Sequence, residues 1–552
     1  MKKFALLSTC LVSALLVSAC GGGGGGSSSA PPTPSPAASS ATLSGAVAGP
    51  VGTRVVLQNN LGDDVSITIP PYAGVALAYN EKAFSFATAL PIGSSYSVTL
   101  KAKPADQTCA LHPPASGTLP AAADSVLLGC ERTHDLISLN DDNTVSGSDF
   151  HGTSHPVIGG NTELTEGRYV AFTAYAHIDG STSDSRQVFW RDRITGKTHL
   201  VSKNAAGIEG NGNSYGLALS ADGLHVVFDS DASNLVAGDT NGVTDVFLWS
   251  ADGGVLTRAV QRVSVNAGGV QANGRSYDPT VSADGKVVAF ASGANNLTSG
   301  VAAESGFNVY LRDLVSGATT LVTANASGQG VGGEKPALAD DGMRLAYWSY
   351  SSEIVSGDAN DIWDIFVYDR SNGHNTRVSK TSTGAERNPG FESRSGVVAP
   401  AISGNGRYVA FATKATNMVP GDTNDKEDVF VVDTQTGAVV RASEDSNGTQ
   451  GNDDSPVRQG EAPSLSYDGT WVSFSSAATN LGAGANNVLM RNLKTGQTRV
   501  VSVGNVFDIG KPNLSRNAVY ATYGAGSALD ARFTEGGLFT TFTGLGKAYF
   551  WW

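Results

Sequence analysis

Three short stretches of the sequence carry oxygen-bearing side chains at a spacing that could hold a cation. They read GDTNGVTDVF (238–247), GDANDIWDIF (357–366) and GDTNDKEDVF (421–430). Each follows the pattern D-x-N-x-x-x-D: Asp239, Asn241 and Asp245; Asp358, Asn360 and Asp364; Asp422, Asn424 and Asp428. Asp361 and Asp425 add a carboxylate to the second and third copies. Calcium takes roughly six to eight oxygens from flexible acidic loops, so the nine pattern residues are candidate calcium ligands. The fixed Gly and closing Glu of an EF-hand loop are missing. A structural reading competes with the metal. Asp and Asn bond to their own backbone in Asx-turns and tolerate left-handed conformations, so the loops could be strand punctuation that needs no ion.

Other chemistry is thinner. GNSYG (212–216) fits the G-x-S-x-G pattern around Ser214. That elbow needs a buried strand before the Ser and a helix after it. A similar stretch, NGRSYDP with Ser276, stands at the same place one repeat later, so repetition explains the match. SYDGTW (466–471) resembles the sialidase Asp-box but has one residue fewer between its Asp and Gly. No H-E-x-x-H, Walker A or dinucleotide-binding glycine pattern occurs. His151 and His155 are four apart with no helix to align them. Asp453 and Asp454 are adjacent loop acids. No catalytic residue is assigned.

The elements that must position these residues come from a repeat. The pattern P-x-x-S-x-D-G-x-x-V-A-F returns at 215–228, 278–290, 335–347, 399–411 and 462–474, with degenerate copies at 155–172 and 511–523. Each complete unit has a short strand, a turn such as SADG, a strong strand, a polar loop, a third strand and a fourth. Four strands at this period are expected of propeller blades, because one blade cannot bury both faces alone. The last unit lacks its fourth strand, and DLISLNDD (135–142) resembles it. An N-terminal strand closing the final blade gives seven blades; six blades with an appendage is the alternative. The repeat resembles the WD-like repeats of TolB-type bacterial propellers over residues 135–552. That resemblance implies a propeller. It implies neither one function nor the usual TolB partners, because the fold hosts many roles and the N-terminal region here is different.

The N-terminus reads as a processing signal. Lys2 and Lys3 precede an apolar run from Phe4 to Val17, too short for a convincing span. LVSAC resembles the bacterial lipobox, which implies cleavage after residue 19 and lipidation of Cys20. Lipidation anchors the chain to a membrane. Gly21 is not the Asp that often retains lipoproteins in the inner membrane, so the outer membrane is expected. Residues 20–41 form a Gly/Ser/Pro-rich tether. Residues 42–133 alternate like a small β-sandwich-like domain and resemble a domain that often follows the lipobox in bacterial lipoproteins. The remaining cysteines, Cys109 and Cys130, are expected to form a disulfide in an oxidising compartment. Closing about 20 residues, it would contribute on the order of 3 kcal/mol.

The expected fold is therefore all-β: a small disulfide-bonded domain, then a propeller over 134–552. The net charge of −13 and the lack of basic runs exclude a nucleic-acid partner. The expected function is a cell-envelope binding or scaffold module for a protein or glycan. Two alternatives stand beside it: a glycan lyase or hydrolase working at the channel, and a calcium-stabilised surface adhesin.

Overall fold

A computed structural model of the chain describes residues 40–542, with the longer breaks at 71–78, 120–124, 137–155, 161–166, 252–258, 390–398, 457–461, 503–511 and 526–536. The signal segment, Cys20, most of the tether, His151, His155 and the tail beyond Phe542 lie outside the described residues. Among the described residues every element is a strand.

The first strand, Ser40–Pro50, takes in the last two residues of the expected tether. It is the second strand of a four-stranded sheet and runs parallel to Ser125–Arg132. A second four-stranded sheet is built on Arg54–Asn59 and Ser95–Ala102. The alternating residues of both sheets share one core, including Leu43, Val47, Leu57, Phe86, Tyr96 and Leu128. Burying such side chains stabilises by about 1.5–3 kcal/mol each. Cys109 and Cys130 face each other on paired strands and are bonded.

Seven further four-stranded antiparallel sheets follow in chain order. The third is representative: Ser276–Val281, Val287–Ser292, Asn308–Asp313 and Thr319–Leu321. The second and third strands are buried on both faces because neighbouring sheets cover both, which explains their near-continuous apolar sequences. An aromatic pair recurs across these two strands: Phe172/Phe189, Phe228/Phe247, Phe290/Tyr310 and Tyr347/Phe366 stack at 5.5–6.0 Å between ring centroids. Such cross-strand pairs contribute roughly 0.5–1.5 kcal/mol beyond their area.

The turn between first and second strands has a repeated construction. Ser220, Ser282, Ser403 and Ser466 each accept the backbone N–H five residues on and donate to the Asp or Asn side chain two residues on. A glycine with positive φ follows, for example Gly469 at 68°. Glycine is needed there twice over. A Cβ on Gly469 would lie 2.1 Å from the Tyr408 ring of the preceding sheet.

The last sheet closes the set. Its fourth strand is His134–Leu136, which pairs with Gly537–Phe542. Its inner strands reach back to the first sheet: Ile158 N donates to Asn513 Oδ1 at 3.2 Å, and Thr522 Oγ1 donates to Pro156 O at 3.1 Å. The first strands of all seven sheets line one cavity of about 240 Å³. Radial sheets packed face to face around a common channel are a β-propeller.

Candidate functional site

The acidic loops lie between the second and third strands of three sheets, and the third strand begins at the last Asp of each. Each Asn turns its amide NH2, not its oxygen, toward that Asp. Asn241, Asn360 and Asn424 donate to Asp245, Asp364 and Asp428 at 2.9, 2.9 and 3.1 Å. Their Oδ1 atoms accept from the backbone N–H of Val243, Ile362 and Lys426. The other oxygen of each terminal Asp accepts from Ser264, Ser379 or Ser443. These are Asx-turns tied to the fourth strand.

The charge is balanced by arginine. Arg262 lies 3.7 Å from both Asp239 and Asp245. Arg377 lies 2.6 Å from Asp358, 3.4 Å from Asp364 and 2.9 Å from Glu386. Arg441 lies 3.4 Å from Asp422 and 3.7 Å from Asp428. All three guanidinium groups are buried, with side-chain exposure of 4–8%. Burial raises Asp239, Asp245, Asp358 and Asp422 above the ordinary carboxylate range, and pushes Asp428 up to about 6. The arginine opposes that rise in each loop.

The donor set does not fit calcium. Its central place is taken by a guanidinium, and the Asn contributes protons rather than a lone pair. Among the described residues no group of three or more His, Cys, Asp or Glu is arranged to hold a metal ion. Asp361 and Asp425 lie outside this arrangement. They are exposed and take positive φ of 53°, the position that Gly242 fills in the first copy.

A signal for this arrangement was present in the sequence and went unread. In register with the third residue of the third strand, the fourth strand places Arg262, Arg377 and Arg441 in the three sheets that have the acidic loop. The other four sheets place Leu200, Leu321, Val500 and Leu136 there. The residue opening the third strand follows suit: Asp245, Asp364 and Asp428 against Gln187, Asn308 and Asn487. In these six sheets the opening Asp and the arginine occur together or not at all.

Ser214 is fully buried, and its hydroxyl donates to Ser230 Oγ at 3.0 Å. It belongs to an inner strand and forms no nucleophile elbow. Asp468 caps its turn by accepting from Ser466 and the Thr470 N–H. Asp453 pairs with Lys426 at 2.8 Å, and Asp454 accepts the Glu427 N–H at 2.9 Å.

The channel itself is lined mostly by small residues, prolines and main chain. At one end a belt of backbone hydrogen bonds joins each sheet to the next. Gly160 donates to Ala221, Asp222 to Ala283, Ala283 to Asp340, Asp340 to Gly404, Asn405 to Tyr467 and Tyr467 to Arg516. Three side chains from these turns meet. Arg516 pairs with Asp340 and stacks 3.6 Å from the Tyr467 ring centroid. Gly404 leaves room for them, since a Cβ there would lie 2.4 Å from Tyr467 and 2.8 Å from Asp340. Sequence reading missed this cluster, because its members are far apart in the chain.

The other end carries the second-to-third strand loops and the entries to the inner strands. The inner strands of the second, third and fourth sheets are bulged there. Asp278 and Lys335 take φ of 51° and 55° at the bulge and pair at 2.7 Å. Asp229, 2% exposed, accepts from the Asp278 N–H at 3.2 Å and from the Gly216 N–H. Burial, with Asp278 adding to it, pushes Asp229 up to about 8. Tyr277 donates to Glu334 at 2.6 Å. Trp348, Trp363 and Tyr350 pack together in the fourth sheet, with ring centroids 3.9 and 5.2 Å apart.

No family model matches the chain, and none of the curated proteins matches it. Solved structures similar to it include TolB from Acinetobacter baumannii, 16% identical with a TM-score of 0.33 over 64% of each chain. The chain thus spans less than two thirds of that protein's length. An oligogalacturonate lyase in complex with manganese is 12% identical, with a TM-score of 0.44 over 72% of this chain and 95% of that one. Oligogalacturonate lyase from Vibrio parahaemolyticus is 10% identical, with a TM-score of 0.43 over 81% of this chain and 97% of that one.

Proposed function

We propose that the chain is a cell-envelope lipoprotein whose seven-bladed propeller is a binding module, held off the membrane by its tether and its small disulfide-bonded domain. The N-terminal signal and Cys20 support the anchor and the location. The observation that carries the binding reading is the channel lining. Its single carboxylate among the described residues, Asp340, is committed to Arg516. Hydrolysis or elimination on a glycan calls for a placed general acid and base, and among the described residues no such pair faces across the channel. Asp229 has the elevated pKa of a general acid, but it is buried and spends its oxygen on two backbone N–H groups.

Two measurements test this reading. Cys20→Ala is expected to move the protein from the membrane fraction to the soluble fraction; retention on the membrane counts against the anchor. Incubation with neutral and acidic polysaccharides is expected to give no new reducing ends and no unsaturated products. Release of either would make the chain an enzyme.

A further inference from the structure

Corresponding positions on successive sheets separate frame from function. The Ser of the first turn and the stacked aromatic pair of the core each recur in four sheets, as parts of the frame. At the loop end of the channel, three stations vary. The residue after the second strand is Tyr175, Asp231, Gly293, Tyr350, Lys414 or Ala477. The residue before the third strand is Arg186, Thr244, Phe307, Trp363, Glu427 or Asn486. The inner-strand entry is Tyr215 in the second sheet, Tyr277 in the third and Glu334 in the fourth. Positions that the fold leaves free, yet that carry rings and charges, are where a propeller spends its specificity.

Two arginines at these stations differ from the structural ones. Arg186 lies 4.8 Å from the Tyr175 ring centroid and 5.8 Å from that of Tyr215, bridging the first and second sheets. Arg275, exposed, lies 4.9 Å from the Tyr277 ring centroid. Among the described residues neither side chain has a carboxylate at ion-pair distance. The nearby acids are otherwise engaged: Asp231 accepts from Tyr215 and Thr244, Glu334 from Tyr277, and Asp278 pairs with Lys335. Asp229, close enough to Arg275 to feel its charge, is protonated at neutral pH. Two guanidinium groups thus lie over tyrosine rings, and among the described residues their side chains make no hydrogen bond.

A guanidinium presents a planar fork to a carboxylate or sulfate. A half-buried tyrosine offers an amphipathic face and a hydroxyl. Rings set beside oxyanion donors at intervals along a rim suit a chain of polar rings bearing acid groups. We propose that this end of the propeller binds an anionic oligosaccharide, with Arg186 and Arg275 each receiving one acid group and the flanking tyrosines packing against the sugar. The proposal rests on the binding-module reading and names its ligand class.

The test is calorimetric titration of the detergent-solubilised full chain with four probes of matched length: uronic-acid oligomers, sulfated oligosaccharides, neutral oligosaccharides and an acidic peptide. Binding of one of the two anionic saccharides is expected, and which one distinguishes carboxylate from sulfate. Arg186→Ala and Arg275→Ala should each weaken it at least tenfold, with melting temperature unchanged. Arg186→Lys should recover only part, since it keeps charge without the planar fork. Equal binding of neutral oligosaccharide overturns the proposal, as does binding by neither anionic saccharide. Arginine-dependent binding of the acidic peptide alone overturns the saccharide and leaves the binding module standing. Binding of no probe, together with turnover of a polysaccharide, removes both.

Discussion

Arg377 shows how a chain can supply its own cation. Two carboxylates that could have shared a divalent ion share a guanidinium instead, and Glu386 adds a third. Removing the arginine takes the cation from Asp358 and leaves Asp364 only Arg387 at 3.6 Å, at a cost of up to about 3–5 kcal/mol. Arg377→Leu should therefore lower the melting temperature markedly. The variant Asp358→Val/Asp364→Asn/Arg377→Leu copies the residues of the third sheet, Val301, Asn308 and Leu321, and should recover most of the loss. Calcium and EDTA should leave the melting temperature of the wild-type protein where it is. A rise with calcium, reversed by EDTA, would restore the metal reading of the loops. The acids were legible in the sequence because they are contiguous. The arginine was not, because it sits a strand away and acquires meaning only when the sheets are laid in register.

At the scale of the element, the bulged inner strands hold a buried acid. Asp229 ties the bulge at Gly216 to the bulge at Asp278. A Cβ on Gly216 would lie 2.2 Å from its Oδ1, so glycine is required at that position. The folded protein keeps the proton on Asp229 up to about pH 8, because burial raises its pKa, Asp278 adds to the rise and Arg275 opposes it. The unfolded chain releases it near pH 4. Between those values the native state binds the extra proton, so this group makes stability fall as pH rises, by at most about 1.4 kcal/mol per unit. Asp229→Asn still offers an oxygen to both N–H groups and does not titrate. Melting curves from pH 4 to pH 9 should show the variant overtaking the wild type toward the alkaline end. Parallel curves for the two proteins would rule out an ionising Asp229. Hydrophobic alternation made the strands readable, but nothing in the residue order around Tyr215 or Tyr277 announces a bulge. Bulges follow from how neighbouring sheets fit, which is a tertiary matter.

At the scale of the molecule, closure joins the strand that precedes the first propeller sheet to one near the end of the described chain. The repeat count and the orphan strand near 135 made this readable, since a fourth strand was missing at one end and spare at the other. Replacing His134–Leu136 with Gly-Pro-Gly should strip protection from Gly537–Phe542 in hydrogen exchange while the middle sheets stay protected. Unchanged protection there would mean that the last sheet does not need its borrowed strand. The channel cluster was beyond sequence reading, because Asp340, Tyr467 and Arg516 meet only once the ring exists.

The borrowed strand also sets a timetable for biosynthesis. His134–Leu136 is made early and its partner, Gly537–Phe542, is made after every other described strand. Until then the growing chain carries an unsatisfied strand edge, the feature most prone to pair with the wrong neighbour. The sheets from Val157 onward form from local hairpins and need not wait, so maturation divides into an early local phase and one late long-range step. A premature stop before residue 537 would thus leave a nearly complete but open ring, the form that quality control would have to intercept.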